Sequence, residues 1–424
     1  MRTVSGEEID IISGGEENNN CGPDFGNVII FINGNGPVTG DIEIHVKSSD
    51  WRAHGHHLDP SYNKVILHVV MWHNSAPTVL ENSVAVPVLS LADCLGDSRD
   101  EVCRMLIRQA VVRKPCQSMA AHWSTDGLAE LLDSMGEARF IAKAEKFHRK
   151  MQAEYAEEVF YQGILDALGY ARNRTSFQRL GHYLPVSFLK NMNCGKDSAV
   201  TMQAIMLGTA GLLPSQRKRF IHEEEPFMDN IENIWREMGF SCEMREQEWH
   251  FFRVRPSNYP PRRIAALSHL IVRNGRQSMV DRLWNIMLAA TDYRVLEDEF
   301  IIPADGYWQS HFDCGMTGAL PTLLGRARAA EIVQNIVLPF FLAYAEKERL
   351  PGLKQKVELL FHGYPKREGN RIIRLMLQRM PGKTADVITT VQRQQGLLCL
   401  YHNYCVGEKC GECPMVESPS ITFY

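Results

Sequence analysis

No apolar run in this chain of 424 residues approaches the roughly 20 that a membrane-spanning helix needs. The greasiest stretch, "IVLPFFLAYA" at 336–345, is short and interrupted by Pro339. The N-terminus "MRTVSGEEIDIIS" has one Arg followed by acids and lacks the apolar segment of a secretory leader, so a cytoplasmic location is expected. A dominant charge is missing too. Its 46 basic and 50 acidic residues leave a net −4, with no bulk attraction to nucleic acid or an anionic membrane, so any polyanion site must be local. Eleven cysteines, an odd number thinly scattered, offer no disulfide framework and suit a reducing compartment. No repeat of fixed period is visible.

What is present is an ordinary globular composition, 45% hydrophobic and 23% charged, on a length that calls for two or three domains. Over residues 7–90 the runs "EEIDIIS", "NVIIFING", "GDIEIHV", "KVILHVVMW" and "NSVAVPVLSL" are β-branched or alternating and are separated by turn signals. From about residue 97 the apolar spacing changes to three and four, as in "DEVCRMLIRQAVVRK", "KDSAVTMQAIMLGTAGLL" and "FMDNIENIWREMGF". Further helices are expected at 262–290, 318–348, 353–362 and 366–398. The expected organisation is an α/β domain over 1–96, a mainly α-helical domain over 97–398 and a Cys-rich tail over 399–424.

The third of these stretches carries the chemistry. Positions i, i+2 and i+4 of a strand share a face, so Asp41, Glu43, His45 and Lys47 project together while Ile42, Ile44 and Val46 occupy the other side. If "NGNGPVTG" closes a hairpin, Asp24 comes close to Glu43, His45 or Lys47. Carboxylates so gathered can hold Mg²⁺ or Mn²⁺ beside a group that positions a water. An ordinary half-buried strand shows the same alternation.

The order strand, Pro23-Asp24, strand, acid-bearing strand, helix or loop, strand resembles the core of the PD-(D/E)XK nuclease superfamily. That resemblance implies a mixed sheet with Asp24 and Glu43 as metal ligands, joined by the carbonyl of Ile44. His45 stands where the family's Lys is expected, and Lys47 follows two residues later. Over most of the chain, "CGPDFGNVII", "GDIEIHVKSSDW", "HGHHLDPSYNKVILHVV", "RVRPSNYPPRRIA" and "YCVGEKCGECPM" resemble a bacterial family, the domain of unknown function 2851, which implies no activity.

Beside the acidic strand, "DWRAHGHHLDPSYNKVILH" packs Asp50, His54, His56, His57, Asp59 and His68 into one short segment. His54 or His56 with Asp59 could complete a site or grip phosphate. Alternatively, Asp59-Pro60-Ser61 is simply a turn and Trp51 and Tyr62 anchors. The imidazoles also admit Zn²⁺ or another transition metal.

At the other end, Cys405-x4-Cys410-x2-Cys413 has Cys399 and His402 just upstream. Closely spaced thiolates can grip one centre, with Zn²⁺ held by three Cys and one His as one option. The spacing resembles the iron-sulfur loop of endonuclease III-type glycosylases, which implies a 4Fe-4S cluster. Cys399, His402 or a distant Cys must then supply the fourth ligand.

Arg253, Arg255 and Arg262, interleaved with Asn258 and Tyr259, suit contact with the phosphates of DNA or RNA, and solvated helix faces show such runs as well. The expected function is metal-dependent hydrolysis of nucleic acid. The rivals are a non-catalytic nucleic-acid-binding or scaffold protein and a transition-metal hydrolase built on the histidine loop.

Overall fold

The computed structural model describes residues 1–18, 22–74, 77–95, 116, 123–170, 172–192, 198–217, 225–252, 254–380 and 384–416. The chain falls into two compact units, Met1–Val112 and Arg113–Tyr424, and the Cys-rich segment belongs to the second. The domain boundary expected after residue 96 and the helix expected over 100–114 lie outside the described residues. Among the described residues no helix is long and apolar enough to cross a membrane.

The first unit is α/β with a mixed sheet. Its strands are β1 (Ile9–Ser13), β2 (Glu16–Glu17), β3 (Phe25–Ile32), β4 (Val38–Lys47), β5 (Val65–Trp72), β6 (Thr78–Val79), β7 (Ala85–Val86) and β8 (Val88–Ser90). The order is β1-β3-β4-β5-β8, with β2 paired to the start of β3 and β6 with β7 forming a separate small hairpin. β3 runs antiparallel to β1 and β4, whereas β5 is parallel to β4 and β8.

Two local features set the register that matters. Asn33 and Gly34, at φ 54° and 70°, turn the chain between β3 and β4. Asn27, at φ 57°, then interrupts the ladder, so that pairing resumes at Phe25 opposite Ile42. Asp24 is thereby delivered to Glu43 and Ile44. On the other side, β4 approaches β5 closely at Gly40, where a Cβ would lie 2.4 Å from Ile66 Cγ2 and 2.6 Å from the Lys64 carbonyl.

A parallel partner requires a crossover, and residues 48–64 supply it. They form the short helix α1 (Asp50–Ala53) and two 3₁₀ turns, His56–Leu58 and Pro60–Tyr62. One face of the sheet buries Ile9, Val28, Ile30, Ile42, Leu67, Val69 and Leu89. A second apolar cluster joins Trp51 and Tyr62 of the crossover to Val65, Leu80 and Val86.

β4 is covered on both faces, over different stretches. The crossover holds Glu43 to 6% exposure on the polar face, while on the other face Ile42 is 6% exposed and Ile44 and Val46 are 43% and 57% exposed.

The second unit is mainly helical. Its longest helix, Thr125–Lys150, packs against Val391–Leu400. Reciprocal glycines permit that approach: a Cβ on Gly136 would meet the Gln392 carbonyl at 2.1 Å, and one on Gly396 the Leu132 carbonyl at 2.2 Å. The expected helix over 262–290 is two helices, Pro260–Asn274 and Met279–Ala289, parted at Gly275 with φ 53°. Expected helices over 318–348 and 366–398 are likewise interrupted, the first beginning with the strand Thr322–Leu324 paired to Ile302–Pro303. A π-helical turn, Val333–Val337, precedes Pro339, whose missing N–H removes a helix hydrogen bond.

Candidate metal centre

The parallel register pairs Glu43 with His68 and His45 with Val70, so Glu43, His45 and His68 share the face beneath the crossover. The crossover adds His54 and His56. Trp51 anchors it by donating Nε1–H to the Val79 carbonyl at 3.0 Å, and Tyr62 stacks on the His56 ring at 3.9 Å. Asp59 accepts hydrogen bonds from the Ser61 amide at 2.9 Å and hydroxyl at 2.7 Å, and so acts as the cap of the second turn.

Asp24 and Glu43 are stitched together through backbone. The Asp24 N–H donates to Glu43 Oε2 at 3.0 Å, and the Ile44 N–H donates to Asp24 Oδ2 at 3.0 Å. The other expected members of the acidic set point elsewhere. Asp41 Oδ1 accepts from the Asn27 N–H at 3.3 Å, and Lys47 is exposed, its N–H donating to Asp50 Oδ2 at 3.0 Å.

Nitrogen donors gather instead. Ligand atoms of His45, His54 and His56 all lie within 4.8 Å of one another. Glu43 Oε1 faces His56 Nε2 at 3.3 Å and His45 Nε2 at 3.5 Å. His56 Nε2 is buried and makes no hydrogen bond. His45 Nε2 also meets His54 Nδ1 at 3.1 Å.

Behind His45 runs a relay: its Nδ1 meets His68 Nε2 at 2.9 Å, and His68 Nδ1 meets Thr78 Oγ1 at 2.6 Å. When His45 Nδ1–H donates to His68 and His68 Nδ1–H donates to Thr78, His45 Nε2 presents a bare lone pair towards Glu43. Burial first, then His45, pushes the His68 pKa down to about 3. Burial also lowers that of His45, against the raising effect of Glu43. Both rings therefore favour the neutral form that ligation requires. Thr78 lies in a two-residue strand that carries no sequence signal for such a role.

Of the three arginines expected to contact phosphate, one is turned inward. Arg262 is fully buried and donates to the carbonyls of Trp308, His311, Leu320 and Thr322 at 2.6–2.9 Å, which makes it a clamp on backbone. Arg255 precedes a 3₁₀ turn and is exposed, and Arg253 lies outside the described residues.

In the Cys-rich segment, Cys405 ends the π-helical turn Tyr401–Cys405, and Cys410 opens the 3₁₀ turn Cys410–Glu412 that leads into Cys413. Cys399 is buried and accepts from Asn403 Nδ2 at 3.4 Å, while His402 lies on the π-helical turn.

The chain belongs to the family described as protein of unknown function (DUF2851), whose model matches residues 1–370. No curated protein and no solved structure matches it.

Proposed function

We propose that this DUF2851 member is a metal-dependent phosphodiester hydrolase of DNA or RNA, with its site on the crossover face of the N-terminal sheet. One observation carries the reading. A buried carboxylate, Glu43, faces two imidazole nitrogens at 3.3 and 3.5 Å, and the nearer, His56 Nε2, has no hydrogen-bond partner. Buried polar atoms are rarely left unpaired, and a cation satisfies both kinds of donor at once.

Three imidazoles and one carboxylate suit zinc or another late first-row ion better than Mg²⁺, which prefers oxygen. The oxygen-only set of Asp24, Asp41 and Glu43 fits less well because Asp41 is turned to the Asn27 amide. When bound, such an ion supplies Lewis-acid polarisation of a phosphoryl oxygen. The chain from His45 through His68 to Thr78 gives His45 a partner on Nδ1 and so leaves Nε2 for the ion. His54 is the exposed member of the group and marks the solvent side of the site. Nucleic acid is proposed as substrate because Pro23-Asp24, Glu43 and the antiparallel-then-parallel strand sequence support a PD-(D/E)XK-like core in which His45 takes the place of Lys.

The test is cleavage of labelled single- and double-stranded oligonucleotides by the full chain supplied with Zn²⁺, Mn²⁺ or Mg²⁺. Cleavage should fall at least about 100-fold in the double variant Glu43→Gln/His56→Ala, with a folded far-ultraviolet spectrum retained. Equal cleavage by variant and wild type rejects the site. Metal-independent binding without turnover favours the scaffold reading.

A further inference from the structure

We infer that Cys116, Cys405, Cys410 and Cys413 are the four ligands of one 4Fe-4S cluster, which staples the beginning of the helical unit to its end. This inference is independent of the hydrolase reading. All four thiols are free of disulfides. Cys413 is buried in an apolar cluster built from Leu128, Met376 and Met415, and Cys116 and Cys405 pack against the same cluster.

Their mutual nearness is also electrostatic. Burial first, then Cys405 and Cys410, pushes the Cys116 thiol up, and Cys413 is raised by burial and by Cys405, Cys116 and Cys410. Thiolates held together in an apolar pocket repel, and a cationic centre among them removes that cost.

The two upstream candidates fall away on the same grounds. Beyond burial, Cys399 and His402 respond to Arg139 and not to these thiols. The surrounding architecture brings the distant fourth cysteine into place. Trp123 Nε1–H donates to the Met415 carbonyl at 3.3 Å, and the close crossing at Gly136 and Gly396 locks the helix after Cys116 to the helix before Cys405.

Inorganic sulfide separates a cluster from zinc: a 4Fe-4S cubane takes one Cys on each iron and brings four sulfides, whereas zinc takes its thiolates alone.

The experiment measures iron, acid-labile sulfide and zinc, with absorption near 400 nm, on anaerobically purified full chain. Wild type and Cys399→Ala are expected to hold about four iron and four sulfide per chain, and Cys116→Ala less than about half as much. Differential alkylation of wild type guards against a variant that fails to fold. Iron chelation should expose all four cysteines together, leaving labelling of the exposed Cys94 and Cys242 unchanged. Stoichiometric zinc without sulfide, or a full cluster in Cys116→Ala, overturns the inference, as does wild-type labelling that chelation does not alter.

Discussion

Two buried carboxylates, one in each unit, have opposite relations to their neighbours. In the helical unit Asp313 is closed by a fork from Arg217, Nη1 to Oδ1 at 2.6 Å and Nη2 to Oδ2 at 3.0 Å, and Oδ1 also accepts the Cys314 N–H at 2.8 Å. The Arg217 Nε donates to Glu246 at 3.0 Å, completing an ion network. In the N-terminal unit Glu43 takes one backbone N–H, and its other oxygen faces imidazoles that do not close on it. Burial of charge is common to both. Only the second leaves a buried imidazole nitrogen, His56 Nε2, without a hydrogen bond, and the proposed metal site rests on that difference.

The contrast can be broken most sharply at Asp313. Asp313→Ala leaves the buried Arg217 with Glu246 but without the carboxylate that closes on Nη1 and Nη2, so denaturant unfolding of the helical unit should show a loss of about 3–5 kcal/mol. Zinc binding at Glu43 should not change. A loss under about 1 kcal/mol would mean that the network is not the structural pair described.

Acid should next separate the two units. His68 is held down to about 3 from its ordinary 6.5, so the native state binds fewer protons than the unfolded one between those values. The stabilisation is complete above pH 6.5 and drains away as pH falls towards 3. In metal-free protein, hydrogen-exchange protection of β4 and β5 should therefore decline over that window before that of the helix Thr125–Lys150. Parallel decline in both units contradicts it.

The smallest effect concerns the relay. Thr78→Val removes the partner of His68 Nδ1, and should cost about 1 kcal/mol and weaken metal affinity about 10-fold by freeing the His45 tautomer. Titration calorimetry with zinc measures the second quantity. Wild-type affinity in the variant would show that the relay does not orient His45.

Much of this site could be read in the sequence because it rests on local patterns. The alternation of β4, the Asn-Gly turn that brings Asp24 towards Glu43, and the dense histidines of the crossover are all short-range signals. What escaped depends on pairing at a distance. The interruption at Asn27 occupies Asp41, and the crossover settles on the polar face, so Glu43 is as buried as Ile42. Alternation alone cannot say which face of a strand will be covered. Arg262 belongs to an Arg-rich run, yet its four carbonyl partners come from a later loop. Cys116 stands alone in the sequence, far from Cys405 and Cys413, with which it shares an apolar cluster.

Zinc K-edge absorption on the zinc-loaded, anaerobically purified chain is the most direct test of the centre at Glu43, His45, His54 and His56. The predicted result is a shell of nitrogen and oxygen at about 2.0–2.1 Å with imidazole scattering, lost in Glu43→Gln/His56→Ala. A shell of sulfur alone at about 2.3 Å, or an identical spectrum in the double variant, contradicts it.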